Sequence, residues 1–244
     1  MRNLLLTIRY DGSNYHGWQI QKNAVTVQEI FQNAVKRLFQ QDIDIKGCSR
    51  TDSGVHANKY CVSLAADTNI PCENIVMALN TYLPNDIAVL ACEDVDSDFH
   101  ARYNVVKKEY VYVLCNSKIR NPFLEKYAFW YRYDIDADYL NKQAKAYIGT
   151  YDYSGFCSAN SGVGDTVRTV YSFDVIRKDD LIYFKVSANG FLYNMVRIMV
   201  GTLLFVSEGK IKENELKNVI LSKDRKRAGK TAPPQGLYLN DVIY

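Results

Sequence analysis

Two strand-like runs, Val167 to Ile176 and Leu181 to Ala188, are separated only by the polar residues Arg177-Lys178-Asp179-Asp180. A parallel pair would need a crossover of a dozen residues or more, so this connection predicts an antiparallel hairpin. The rest of the chain supplies matching elements. Leu4 to Tyr10 reads as a buried strand ended by the turn residues Asp11-Gly12-Ser13. Thr26-Val27-Gln28-Glu29 makes a capping box, and Val27, Ile30, Phe31, Ala34, Val35, Leu38 and Phe39 recur at helical spacing through Gln40. Strands are expected at Ile43 to Cys48, Lys59 to Ala65 and Ile87 to Val95, with a short helix from Cys72 to Tyr82. A related order follows: a strand from Lys108 to Leu114, a helix from Ala137 to Ile148 closed by Gly149, and then the hairpin. Helices from Phe191 to Ser207 and Lys212 to Ser222 and a final strand from Gly236 to Tyr244 complete the chain. Strand-rich halves mixed with helices predict an α+β fold with largely antiparallel sheet. The expected division is into residues 1–103 and 104–244, without a flexible linker, as two similar halves packed around a central cleft.

Several function classes lose their usual signatures. Only four apolar residues, Leu4, Leu5, Leu6 and Ile8, stand between Met1-Arg2-Asn3 and Arg9, short of the ~7 to 15 residues of a signal-peptide core. The apolar stretch Ile198 to Val206 falls well below the ~20 residues that cross a bilayer. A cytoplasmic protein is expected, with no membrane partner. The six cysteines, Cys48, Cys61, Cys72, Cys92, Cys115 and Cys157, include no closely spaced pair, and neither do His16, His56 and His100. Buried free thiols and no metal site are therefore expected. Residues 1–103 carry nine Lys and Arg against twelve Asp and Glu, whereas residues 104–244 carry 21 against 15. The basic second half could attract a polyanion, although such a balance alone is ordinarily a solvated surface.

The segment Arg50-Thr51-Asp52-Ser53-Gly54-Val55-His56-Ala57 lies between two expected strands. It can bring a carboxylate and a guanidinium into one cleft, with Gly54 allowing the backbone to turn. Taken alone, so short a pattern is ordinarily an Asx-type turn with a surface ion pair. Further polar and aromatic segments change its meaning. They are Tyr10-Asp11-Gly12-Ser13-Asn14-Tyr15-His16-Gly17-Trp18-Gln19, Phe99-His100-Ala101-Arg102-Tyr103 and Lys107-Lys108-Glu109-Tyr110-Val111-Tyr112, followed by Asn194-Met195-Val196-Arg197 and the segment from Thr231 to Leu239. In order and across essentially the whole chain, the set resembles the TruA family of tRNA pseudouridine synthases. Two departures are Ser49, where the family usually has Gly, and Ile20, where it often has Arg.

The resemblance implies the pseudouridine synthase fold and isomerisation of uridine to pseudouridine in tRNA, at positions 38 to 40 of the anticodon stem-loop. The bond from ribose C1′ to N1 breaks, the uracil turns, and C5 joins C1′, without a cofactor. It also implies that Asp52 either attacks C1′ or takes a proton from the sugar. Arg197 is implied to pair with Asp52, Tyr110 to stack on the uracil and help remove the C5 proton, and Arg50 to hold the flipped nucleotide. Leu237 would wall the base. The basic run Lys223 to Lys230, especially Arg225, Lys226 and Arg227, is a candidate phosphate-contacting element together with Lys107, Lys108 and Arg168.

A homodimer is implied by the same resemblance. The alternatives are an RNA-binding protein of this fold without activity and a carboxylate-dependent nucleosidase that would release uracil. The glycines in Ser161-Gly162-Val163-Gly164-Asp165 lack the length and strand-to-helix setting of a dinucleotide fingerprint and read as a flexible loop.

Overall fold

A computed structural model describes residues 1–158 and 164–244. The first elements are β1 (Arg2–Tyr10), α1 (Val27–Phe39), β2 (Lys46–Gly47), β3 (His56–Ala66), α2 (Cys72–Tyr82) and β4 (Ile87–Val95). Then come β5 (Lys107–Cys115), β6 (Phe129–Trp130), α3 (Ala137–Ala144), β7 (Gly149–Asp152), β8 (Val167–Lys178) and β9 (Leu181–Ala188). The last are α4 (Met195–Ser207), α5 (Leu216–Leu221) and β10 (Leu237–Ile243). The chain divides into two compact units, Met1–Val106 with Tyr238–Tyr244, and Lys107–Leu237. Residues 161–163 of the glycine-containing segment fall outside the described residues.

In the first unit β1 lies between β4 and β3 and is antiparallel to both, while β10 runs parallel to β3. Leu4, Leu6 and Ile8 are fully buried, as are Val27, Phe31 and Val35 of α1 and Ile75 and Leu79 of α2. The amphipathic spacing thus delivers the helix face that the sequence predicts. Thr26 caps α1 by accepting from the Glu29 N–H at 3.4 Å. In the second unit β5, β9, β8 and β7 form an antiparallel run, with β6 parallel to β5. Helix α4 is apolar on nearly every face, and Ile198, Met199, Val200 and Leu203 are fully buried. Antiparallel pairing throughout most of both units gives the expected α+β class.

The structure differs from the sequence reading at several boundaries. The hairpin turn contains only Asp179 and Asp180, because Lys178 already pairs with Leu181. Asp179 takes a φ of 54°, a conformation that its short polar side chain tolerates. Of the strand expected from Ile43 to Cys48, only Lys46 and Gly47 join the sheet as β2. Ile43 and Ile45 are buried without strand pairing, so their alternation reflects packing alone. Helix α4 starts four residues later than expected, after Asn194 at φ 62°, and α5 starts after Asn214 at the same φ. The helix from Ala137 tightens to a 3-10 turn at Lys145–Tyr147, and Gly149 opens β7 instead of ending in a loop. The C-terminal strand, assigned by sequence to 104–244, pairs in the first unit, where Tyr238 is in register with His56.

Candidate active site

Asp52 occupies a short turn between β2 and β3, closed by the Val55 N–H donating to the Asp52 carbonyl at 3.2 Å. The segment after β1 holds this turn. Gly54 N–H donates to the Tyr15 carbonyl at 3.1 Å, and Trp18 N–H donates to the Thr51 carbonyl at 3.3 Å. The Tyr10 and Thr51 hydroxyls lie 2.9 Å apart. Each such bond contributes about 1 kcal/mol net, so together they outweigh thermal energy several-fold and fix the backbone under Asp52. Gly17 makes the approach possible. Its φ is +80°, and a Cβ there would lie 2.2 Å from the Thr51 oxygen.

A second set of contacts supports the same turn from beneath. The Tyr60 hydroxyl donates to the Ser49 carbonyl, and the Trp18 ring stacks on Tyr60 with centroids 4.1 Å apart. His56 is buried, accepts from the Gly12 N–H at 3.0 Å through Nδ1, and stacks on Tyr238 at 4.7 Å. Thus the Tyr10-to-Gln19 segment and the Arg50-to-Ala57 segment, 40 residues apart in sequence, form one structure. Asp52 is half-buried, while Arg50 on the same turn is exposed. Ser49, one of the two departures, uses its carbonyl for the Tyr60 contact and leaves that clamp intact. Ile20 is exposed.

The second unit places Tyr110 and Tyr112 on one face of β5, since strand side chains alternate with period two. Tyr110 is buried and meets Phe191 edge to face, with centroids 5.0 Å apart. Tyr112 donates from its hydroxyl to the Pro233 carbonyl at 2.8 Å. Burial pushes its phenol well above the ordinary range, and the charge of Arg197 partly opposes this. Arg197 is half-buried on α4 rather than extended to the surface. Its guanidinium donates to the Ala232 carbonyl from Nε and to Asn194 Oδ1 from Nη1, both at 2.7 Å. Tyr112 and Arg197 therefore converge on residues 232–233. Leu237 is buried and immediately precedes Tyr238, the partner of His56 in the sheet register.

The basic candidates separate into two groups. Lys226 and Arg227 are exposed, and Lys107 and Lys108 are half-buried at the start of β5. Arg225 instead points into its own loop, donating to the Gly229 carbonyl at 2.8 Å and the Thr231 hydroxyl at 3.2 Å. Arg168 is similarly engaged, donating to the Asp165 and Val167 carbonyls at 3.1 and 2.6 Å. The loop is fastened to α4 where Gly229 crosses Gly201. A Cβ on Gly229 would sit 2.2 Å from the Gly201 oxygen, and the Gly229 N–H donates to Thr202 Oγ1 at 2.9 Å.

Sequence reasoning did not identify Thr51, Tyr60, Gly17 and Asn194 as supports. Tyr60 carried no signal beyond its place near the motif, whereas Thr51, Gly17 and Asn194 lay inside the quoted segments. Among the described residues, no group of three or more His, Cys, Asp or Glu is arranged to hold a metal ion, and no helix is long and apolar enough to cross a membrane. Taken separately, the first unit offers a carboxylate on a pinned turn, and the second offers a guanidinium anchored by two neighbours and a buried aromatic ring.

Comparison with known proteins identifies related chains. The family model described as tRNA pseudouridine synthase matches residues 6–104 and 143–244. A protein named tRNA pseudouridine synthase A from Thermoanaerobacter sp. (strain X514) is 47% identical over 244 residues, covering 100% of both chains. Proteins of the same name from Caldicellulosiruptor saccharolyticus and Bacillus pumilus are each 43% identical, the first over 100% of both chains and the second over 98% of this chain and 97% of its own.

Proposed function

The chain belongs to the tRNA pseudouridine synthase family and isomerises uridine in tRNA, and from that premise we propose that it acts on the anticodon stem-loop, at positions 38 to 40. The observation that carries the catalytic part of this reading is the clamp on the Asp52 turn. A carboxylate meant to meet C1′ must be held in place before the substrate arrives, and the Tyr15, Trp18 and Thr51 contacts serve that end. In this reading Arg197 pairs with Asp52 and keeps it ionised. Asp52 then attacks C1′ or removes a sugar proton as the C1′–N1 bond breaks. C5 bonds to C1′, N1 gains a proton, and C5 loses one, so the product has the composition of the substrate. Tyr110 supplies the stacking face and assists the last proton removal. Leu237 walls the base.

A uridine inside a stem must be turned out before it can react, at a cost of a few kcal/mol. Exposed Arg50 is placed on the catalytic turn itself, which suits it to hold the backbone of the turned-out nucleotide. Lys107, Lys108, Lys226 and Arg227 contact phosphates, with Arg225 and Arg168 shaping the loops that present them. The protein works in the cytoplasm with its substrate, and as a homodimer. Incubation with unmodified tRNA, followed by mapping of every converted uridine, tests the reading. Pseudouridine confined to positions 38 to 40 supports it; conversion elsewhere refutes the assigned site, and free uracil would mean a nucleosidase.

A further inference from the structure

The Phe99-His100-Ala101-Arg102-Tyr103 segment has no part in the catalytic turn, yet it is built with care. Ala101 is fully buried, its N–H donates to Ser63 Oγ at 3.0 Å, and its carbonyl accepts from the Tyr244 hydroxyl at 2.8 Å. Phe99 packs on the Tyr244 ring at 4.9 Å. The turn is closed by the Tyr103 and Asn104 N–H groups, which both donate to the His100 carbonyl at 3.1 Å. His100 N–H donates to Asn104 Oδ1 at 2.8 Å, and Arg102 N–H donates to His100 Nδ1 at 3.0 Å. All this internal bonding presents one large ring outward. Tyr103 is 75% exposed, with the His100 ring 4.4 Å from its centroid and the Arg102 guanidinium 5.8 Å from it.

A lone exposed aromatic is common, but one fixed on a rigid turn, braced by an imidazole and attended by a guanidinium, has the makings of a base-stacking surface. We propose that Tyr103, supported by His100 and Arg102, is a stacking platform for an unpaired base of the tRNA, separate from the target uridine. The proposal rests on tRNA being the substrate. Ser63, which anchors the turn, stands seven residues along β3 from His56. At ~3.3 Å per residue that is roughly 23 Å, too far for the platform to touch the reacting base. Asp96 and Asp98 are exposed just before the turn and disfavour phosphate there, so the contact is to a base face and its strength is insensitive to salt.

The test compares Tyr103→Ala and Tyr103→Phe with the parent, using an unmodified tRNA transcript at low and high salt. Tyr103→Ala is expected to weaken binding about five- to hundredfold, by the same factor at both salt concentrations. Tyr103→Phe retains parental affinity, because it keeps the ring. Single-turnover conversion at saturating enzyme stays within twofold of the parent for both. Unchanged affinity in Tyr103→Ala overturns the proposal, as does equal loss in Tyr103→Phe, which would assign the effect to the hydroxyl. A change in oligomeric state without a change in tRNA affinity also overturns it, placing the ring in a protein interface. Parental turnover in the same assay reports separately on tRNA as substrate.

Discussion

Gly17 and Tyr110 illustrate how single residues serve the site in different ways. Gly17 has no chemistry to offer, but any side chain there meets the Thr51 carbonyl and also requires a strained φ. Gly17→Ala is expected to destabilise the first unit by about 1 to 3 kcal/mol and to reduce turnover more than tRNA affinity, because the displaced part is the turn carrying Asp52. Thermal unfolding together with separate kcat and KM values checks this. Tyr110→Phe keeps the ring proposed to stack on the uracil and removes only the oxygen. Binding should therefore persist while turnover falls ~10²-fold or more, the range for loss of an acid or base. Near-normal turnover would leave Tyr110 with stacking alone. At this scale the sequence was informative where a residue type has few uses, as with Gly54, expected to let the backbone turn and found at a φ of 76°. It was silent about Thr51 and Tyr60, whose roles exist only once β1 and β3 lie side by side.

Among the elements, the loop from Lys223 to Thr231 shows why a run of basic residues is a poor guide to its own use. Composition treats Arg225, Lys226 and Arg227 alike, whereas the fold turns Arg225 inward to two loop acceptors and leaves the other two exposed. Replacing Lys226 and Arg227 with Ala should weaken tRNA binding and flatten its salt dependence by up to about one unit of slope per lost contact. Arg225→Ala should lower stability instead, since it leaves the Gly229 carbonyl and Thr231 without that donor. The start of the loop is tied to β7 through Asp152. Its carboxylate accepts from the Thr166 hydroxyl at 2.7 Å and the Ser154 N–H at 3.0 Å, and lies 2.9 Å from Lys223 Nζ. The Thr166 bond foremost, then Lys223 and Ser154, holds this carboxyl below its ordinary 3.8. A depressed carboxylate stabilises the fold above its unfolded value, and the benefit is lost as pH falls through the folded value. Asp152→Asn should therefore lower the Tm by a constant amount from about pH 8 to 5, with the gap narrowing below about pH 4. A gap independent of pH would mean that the charge of Asp152 contributes nothing. Element existence was legible in the sequence for α1, α2, β4 and the β8–β9 hairpin, where periodicity and turn residues agree. Boundaries were not, because Asn194 and Asn214 enter left-handed conformations that no local pattern announces.

For the molecule as a whole, the sequence conveyed the α+β class and the tRNA pseudouridine synthase family, since its motifs recur in order over the full length. It did not convey that Tyr238–Tyr244 closes the first unit, because parallel pairing of β10 with β3 joins residues more than 180 positions apart and leaves no local trace. The functional consequence is that both ends of the chain frame the strand that follows Asp52. The central claim is that this carboxylate performs the isomerisation, whether by attack on C1′ or by proton removal. Asp52→Asn preserves shape and removes one negative charge, a change that does not weaken attraction to a polyanion, so folding and tRNA affinity should survive. An amide can perform neither act, and both routes fail together. The direct measurement is pseudouridine content after nuclease digestion of an initially unmodified tRNA, incubated with Asp52→Asn under conditions in which the parent converts it completely. No pseudouridine, with tRNA binding retained, is the result this account predicts; substantial pseudouridine from a preparation free of host enzyme would contradict it.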